Sequence, residues 1–118
     1  MGRRGEYIGE FEQLVLLAVA RLEGEGYGVT LRREIERRTG RSASIGAVYA
    51  TLDRLQAKGM VASSEGEATG KRGGRARRLF ELLPAGVEAL TVARDMQDRM
   101  WDGVDLGAGR PAGPSGTR

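Results

Sequence analysis

Basic side chains are the groups in this sequence best suited to chemistry, and they are concentrated in its middle. From Arg37 to Arg78, ten Arg or Lys residues stand against three Asp or Glu, a local net charge of +7, whereas the remainder of the chain carries −4. A basic segment between acidic flanks is typical of a chain that binds phosphate. The pattern therefore indicates a partner that carries phosphate.

Enzymatic chemistry is disfavoured by what the sequence lacks. It contains no Cys and no His, which removes disulfides, thiolate nucleophiles, the usual zinc ligands and histidine acid–base catalysis. Carboxylates such as Glu34 and Glu36 are scattered, with no pair placed around a substrate. The Gly-rich segment near Lys71 is not a Walker loop, because Glu65 and Arg72 stand where that loop needs a Gly and a hydroxyl. We expect no enzyme, no cofactor and no metal site.

Residues 44–58, SIGAVYATLDRLQAK, are predicted to form the helix that positions the binding groups. Its inner stripe recurs at helical spacing and must be buried; it consists of Ile45, Val48, Leu52 and Leu55. The opposite face carries short side chains first and cations later, a pattern suited to a helix that enters a DNA groove. Its candidate DNA-binding residues are Ser44, Gly46, Ala47, Tyr49, Ala50, Arg54 and Lys58. Because Ala is also the best helix former, an ordinary amphipathic core helix remains the alternative.

The flanking segments predict a mainly α fold with a small β-hairpin (α+β). Helices are expected over residues 10–22 and 29–39, and the short turn into residue 44 makes a helix-turn-helix. Extended segments over 60–65 and 75–83 then form a hairpin around a Gly-rich tip. Pro84 is suited to a first helical turn and opens a last helix that runs to about Trp101.

The basic hairpin tip is predicted to be a wing that reaches the DNA backbone or minor groove. Its candidate DNA-binding residues are Lys71, Arg72, Arg75 and Arg77. The alternative is a hairpin tip that is merely solvated.

Two apolar surfaces predict a homodimer. A domain of 118 residues buries only about two thirds of its unfolded surface. Helix 10–22 is apolar around more than one face and needs a second partner, and helix 84–101 has a narrow seam suited to helix pairing. The candidate interface residues are Leu14, Leu17, Ala93, Met96, Met100 and Trp101, and the seam also includes Ala89 and Val104.

Two segments carry a family resemblance. GAVYATLDRLQAKGMV, residues 46–61, resembles the signature G-T-L-Y-P-A-L-x-R-L-x-x-x-G-L-V of the PadR family of bacterial winged-helix regulators, and GGRARRLFELLPAG, residues 73–86, is similar to its wing and last-helix start. The resemblance is to the short type, with one C-terminal helix. It implies that Tyr49 meets DNA, where the residues alone also allow a tyrosine at the edge of the core. The family's Thr and Pro are Ala47 and Ala50 here, and its paired strand tyrosines are Leu79 and Phe80.

The resemblance also implies partners. The expected partner is a near-palindromic double-stranded operator bound by the homodimer, and the expected role is repression. Some family members admit flat aromatic compounds between their subunits, so a small-molecule effector beside Trp101 stays open. The alternative from another class is a winged-helix module that binds only proteins.

The sequence divides into four parts under this interpretation. Residues 1–8 are a flexible arm, 9–83 the DNA-binding domain, 84–104 the dimerisation helix and 105–118 a disordered tail rich in Gly and Pro. Its longest apolar run is too short to span a bilayer and no signal peptide is evident, so we expect no membrane partner and a cytoplasmic location.

Overall fold

The computed structural model describes residues 7–66 and 77–107. Its elements are α1 (Glu10–Leu22), α2 (Gly28–Thr39), α3 (Ile45–Ala57), β1 (Val61–Glu65), β2 (Arg78–Leu82) and α4 (Pro84–Trp101). The predicted fold class is confirmed: four helices and one antiparallel hairpin, in the expected order. Most of the predicted arm and tail lie outside the described residues, as do Lys71, Arg72 and Arg75, which were predicted for the wing.

Polar side chains cap the first three helices. The Oε1 atom of Glu12 accepts the backbone N–H of Gly9 at 2.8 Å, and the Oγ1 atom of Thr30 accepts that of Tyr27 at 3.0 Å. Each acceptor stands three residues after the cap, as in one half of a capping box. At α3 the cap is the predicted Ser44, whose Oγ accepts the N–H of Ala47 at 3.0 Å. These bonds satisfy N–H groups that have no partner within their helices.

The core lies where α1, α2 and α3 meet the hairpin. Its largest fully buried side chains come from all of these elements: Val15, Leu16, Val19, Leu31, Val48, Leu52, Leu55, Met60, Val61 and Phe80. Three of the four residues of the predicted α3 stripe are therefore buried as expected. Ile45 is not, because 38% of its surface is exposed. It is the first residue of α3, and an exposed turn precedes it where a packed helix would be needed to cover it.

The hairpin is attached to the helical domain through β2. Its antiparallel register pairs Ser63 with Phe80 and Glu65 with Arg78. The backbone N–H of Phe80 also donates to the carbonyl of Gly26 at 3.0 Å, so the loop between α1 and α2 bridges to the same strand. Since the Phe80 ring is fully buried, the wing has a fixed base on the helix-turn-helix.

A close backbone approach explains the unusual start of α4. Leu83 occupies the N-cap position without a side-chain acceptor, but its N–H donates to the carbonyl of Met60 at 3.0 Å. Pro84 follows and has no N–H that needs a partner. A Cβ on Gly86 would lie 2.5 Å from the Met60 carbonyl oxygen. The Pro-Ala-Gly sequence therefore lets α4 begin directly against the turn between α3 and β1.

Three arginines converge on Glu34 and join α1 to α2. Its carboxylate accepts from Arg37 at 2.6 Å, from Arg21 on α1 at 2.9 Å and from Arg38 at 2.9 Å. The hydrogen bond from Arg37, followed by those from Arg21 and Arg38, lowers the pKa of Glu34 from 4.5 to about 2. The carboxylate therefore stays ionised across the range in which most glutamates become protonated.

No helix within the described ranges is long and apolar enough to cross a bilayer.

The Glu34 cluster predicts an acid-dependent loss of stability. A lowered folded-state pKa stabilises the fold above the unfolded value of 4.5, and this contribution disappears as the pH falls towards the folded value of about 2. The melting temperature of Glu34→Gln should therefore lie below that of the wild type at about pH 6, and the gap should narrow by about pH 3. Glu88→Gln removes one exposed carboxylate from α4 and is the control. A gap of constant size in thermal melts followed by circular dichroism would contradict the assignment.

Candidate nucleic-acid interface

The outer face of α3 is bare along its first turns. Gly46, Ala47 and Ala50 are exposed, and nothing lies within 4 Å of where a Cβ on Gly46 would be. On the inner face Val48 and Leu52 are fully buried, so the helix cannot rotate without exposing them. This end of α3 can therefore be approached to backbone distance by another molecule.

A groove runs beside this bare face. It lies between the start of α1, the turn before α3 and α3 itself, and it is lined by Phe11, Arg41, Ser42, Ala43, Ser44, Ala47, Ala50, Thr51 and Arg54. A cation stands on each side of the short residues, Arg41 from the turn and Arg54 from α3. The groove thus combines short side chains with flanking positive charge.

Arg41 is a member of this surface that was not among the predicted binding residues. Its guanidinium lies 5.2 Å from the centre of the Phe11 ring and donates to Glu10 at 3.0 Å. Its position in the sequence could have identified it as a binding residue, because a residue three positions before the N-cap of α3 lies beside the start of that helix. Its contacts with Phe11 and Glu10, which are far away in the sequence, orient the Arg41 guanidinium.

Tyr49 stands at the edge of both the core and the surface. It is 37% exposed, and the hydroxyl end of its ring packs against the first residue of α2, where a Cβ on Gly28 would overlap the ring. The ring is therefore braced by the domain, as expected of a tyrosine at the edge of the core, and is still accessible; its contact with DNA stays a prediction. Gly28 permits this contact because it has no side chain.

Arg54 and Lys58 are held by a carboxylate of α1. The Oε2 atom of Glu12 accepts from Lys58 at 3.0 Å and from Arg54 at 3.5 Å, and Arg54 also donates to Thr51 at 3.2 Å. Burial opposes ionisation of Glu12, but the Gly9 N–H and the two cations outweigh it and lower its pKa below 4.5. The two predicted phosphate-binding cations are thus ion-paired within the protomer.

The described part of the wing places two arginines beside the helix-turn-helix. Arg77 lies over the Tyr27 ring, with its guanidinium carbon 4.6 Å from the ring centre. Arg78, which was not predicted as a site residue, donates to Gln56 at 2.8 Å and to Asp53 at 3.4 Å, both on α3. Alternation along β2 puts Arg78 on the same side as Phe80, but only the folded hairpin brings it to α3.

The residues predicted for a dimer interface divide into two groups. Leu14 and Leu17 line an apolar groove between α1 and α2, together with Ala18 and Ile35. On α4, Met96 and Trp101 are exposed and Met100 is 78% exposed.

Ala93 differs from its neighbours in the seam. It is only 8% exposed and Ala89 is also buried, because the first part of α4 packs on its own domain. Little of Ala93 is left for a second subunit to contact.

Nothing in the described ranges resembles a catalytic arrangement. The two most buried carboxylates, Glu12 and Glu34, are both engaged by cations, and these ranges contain no group of three or more acidic residues able to hold a metal ion.

Comparisons with known proteins show what the sequence and the fold of this chain resemble. The chain is 39% identical over 72 residues to the transcriptional regulator Rv3488 of Mycobacterium tuberculosis, a match that covers 61% of this chain and 63% of that protein. Its fold resembles a PadR-like transcriptional regulator from Bacillus cereus, with a TM-score of 0.63, 20% identity and coverage of 78% of this chain and 84% of that one. It also resembles a PadR family regulator from Clostridium difficile, with a TM-score of 0.65, 18% identity and coverage of 80% and 93%.

The family itself is identified by sequence. The pattern that describes the PadR-like transcriptional regulators matches residues 16–92, a stretch that contains α2, α3, both strands of the hairpin and about half each of α1 and α4. These proteins are regulators and not enzymes, in agreement with the interpretation of the sequence. The chain belongs to the PadR-like family of transcriptional regulators.

Proposed function

We propose that this regulator is a homodimeric, sequence-specific DNA-binding protein that represses transcription by occupying a near-palindromic operator. The observation that carries the proposal is the outer face of α3, where short side chains at a capped helix start lie between Arg41 and Arg54. A B-DNA major groove is about 12 Å wide and admits one α-helix. Phosphates line its edges, and the flanking cations are opposite to them in charge.

The first turns of α3 would recognise the base sequence of the DNA. With Gly46, Ala47 and Ala50 exposed, the helix start can lie close to the base edges, and the Ala methyls are suited to contact thymine methyls. Tyr49 adds a rigid polar group beside them, because its ring is braced against Gly28. A braced side chain loses little conformational entropy on binding, which favours selectivity.

The wing would supply affinity that does not depend on sequence. Arg77 lies at the loop end of the described strands, beside Tyr27, and the preceding segment of the sequence contains Lys71, Arg72 and Arg75. Cations on such a loop can neutralise phosphates of the backbone or in the minor groove.

The dimer is supported by apolar surface and by charge. The groove between α1 and α2 is apolar at Leu14 and Leu17 and is bordered by Arg21 and Arg38. The exposed part of α4 carries Met96 and Met100. The same part of the chain carries acidic residues, which are opposite in charge to these arginines: Asp95, Asp98 and Asp102. Apolar area of this kind is costly to leave in water. To read two half-sites one helical turn of DNA apart, a two-fold dimer formed through α1 and α4 has to place its two copies of α3 about 34 Å apart.

Substitutions on α3 test the reading surface. Tyr49→Ala and Ala47→Glu should abolish preference for a duplex selected by the wild-type chain from a randomised pool, because one removes a contact and the other places a carboxylate against the groove. Gly28→Ala should weaken the same preference by displacing the Tyr49 ring. Electrophoretic shift assays against an unrelated duplex measure each effect.

Two controls distinguish a loss of DNA recognition from a loss of folding. Ala85→Glu adds the same charge at an exposed position of α4 and should bind as the wild type does, and circular dichroism should show that all variants fold. If Tyr49→Ala and Ala47→Glu retain full preference, α3 does not read DNA and a protein-binding module becomes the better interpretation.

A salt titration tests the wing. Replacing Lys71, Arg72 and Arg75 by Ala should weaken binding to all duplexes alike and make the slope of log affinity against log salt shallower by about 0.9 for each phosphate that is no longer neutralised. The double variant Arg110→Ala, Arg118→Ala removes cations from the C-terminal segment and is the control. An unchanged slope for the triple variant would mean that the hairpin tip is merely solvated.

A charge on α4 tests the dimer. Met96→Asp should convert the dimer to a monomer, because it would bury an unpaired carboxylate in the interface. Val87→Asp makes the same kind of change at an exposed position of α4 about 180° around the helix, and it should remain dimeric. Light scattering at micromolar concentration distinguishes the masses; a monomeric wild type would overturn the dimer proposal.

A further inference from the structure

Glu12 connects α1 to the cationic end of α3. Its side chain is only 11% exposed. One oxygen, Oε1, accepts the backbone N–H of Gly9, and the other, Oε2, accepts from Lys58 and Arg54, residues 46 and 42 positions further along the chain. The two oxygens therefore serve different purposes, one within α1 and the other towards α3.

The helix cap does not explain why this residue carries a charge. A glutamine at the third helical position can accept the N–H of the cap residue as well as a glutamate can. The negative charge matters for Oε2, which faces two cations at the edge of the proposed DNA surface. With Glu12 in place, this corner of the molecule has a local net charge of +1, whereas without it the charge would be +2.

The contacts also set the direction of Arg54. Its Nε atom faces Glu12 and its Nη2 atom donates to Thr51, so the guanidinium is held from two sides on the α3 surface. Lys58 is held through a hydrogen bond from its ammonium group to Glu12. Both cations thus have a preferred position before any DNA arrives, which lowers the entropy lost when a correctly placed phosphate meets them.

Specific and non-specific complexes use these cations differently. Affinity for unrelated DNA comes from counterion release, so each unit of positive charge counts and its direction matters little. In a specific complex the base contacts fix how the protein docks, and a cation contributes most when it already points at its phosphate. A carboxylate that reduces charge and fixes direction therefore weakens non-specific binding more than specific binding.

We propose that Glu12 is a specificity-determining residue, which restrains Arg54 and Lys58 so that the regulator does not bind unrelated DNA too tightly. This inference rests on the DNA-binding function proposed above. Glu12 acts through the two cations as a positioning residue and need not touch DNA itself.

The test compares Glu12→Gln with the wild type on two duplexes. One is selected by the wild-type chain from a randomised pool, and the other is an unrelated duplex of equal length. Glu12→Gln should bind the unrelated duplex on the order of 3–10 times more tightly at low salt, with a log–log salt slope steeper by about one. Its affinity for the selected duplex should rise less, so the ratio of the two affinities falls. Glu88→Gln, which removes an exposed carboxylate from α4, should leave this ratio unchanged.

A second variant keeps the test decisive if Glu12→Gln does not fold. Glu12→Asp keeps the charge, so the salt slope on the unrelated duplex should stay that of the wild type. Its shorter side chain withdraws the carboxylate from Arg54 and Lys58, so the affinity for the selected duplex should fall. An unchanged affinity of Glu12→Asp for the selected duplex would overturn the proposal, as would a Glu12→Gln variant that behaves like Glu88→Gln. A wild-type chain that selects no duplex would instead refute the DNA-binding function, and this inference with it.

Discussion

Burial of the inner face of α3 is the constraint on which the rest of the structure depends. Val48, Leu52 and Leu55 are completely removed from solvent, packed with side chains of α1, α2 and the hairpin. Turning the helix would bring these side chains into water, at a cost of about 1.5–3 kcal/mol for each. The orientation of the outer face is thereby determined by the core, although the outer residues themselves make few contacts. Short side chains such as Ala47 and Ala50 can be used there because they are not needed for stability.

The acidic residues of α1 and α2 organise the surrounding arginines and lysines. Glu10, Glu12 and Glu34 each receive at least one cation from another element or another turn. An exposed arginine samples many rotamers, and an ion pair narrows this range even where it contributes little to stability. A basic chain is in this way given a surface with defined directions of charge. Glu10 and Glu12 hold cations at the edge of α3, and Glu34 holds cations at the contact between α1 and α2.

The first and last helices, α1 and α4, present exposed apolar side chains. Leu17 on α1 and Met96, Met100 and Trp101 on α4 are exposed, whereas α4 uses Ala89 and Ala93 to pack on its own domain. Small residues in the first part of α4 permit a close approach within the protomer, and large residues further along the same face, Met96 and Met100, remain accessible. This division of α4 along its length suits a helix that joins its own domain to a second subunit.

The sequence by itself determined which segments become helices and strands, and much of the core. Helical and alternating periodicities are local, so α1, α3 and α4, the Ser44 cap and the buried stripe from Val48 to Leu55 could be predicted from neighbouring residues. The family signature, likewise contiguous, identified the fold and the class of function. The bare outer face of α3 followed from the same periodicity.

Only the tertiary structure decided which groups meet across the chain. Glu12 lies 46 residues from Lys58, Arg41 lies 31 residues from Glu10, and the Tyr49 ring packs on Gly28. No local pattern contains such pairs, because they arise when separate elements pack on a shared core. The same packing exposes Ile45 at the start of α3 and buries Ala93 on α4, since periodicity gives the face on which a residue lies but not how far the neighbouring elements extend over it.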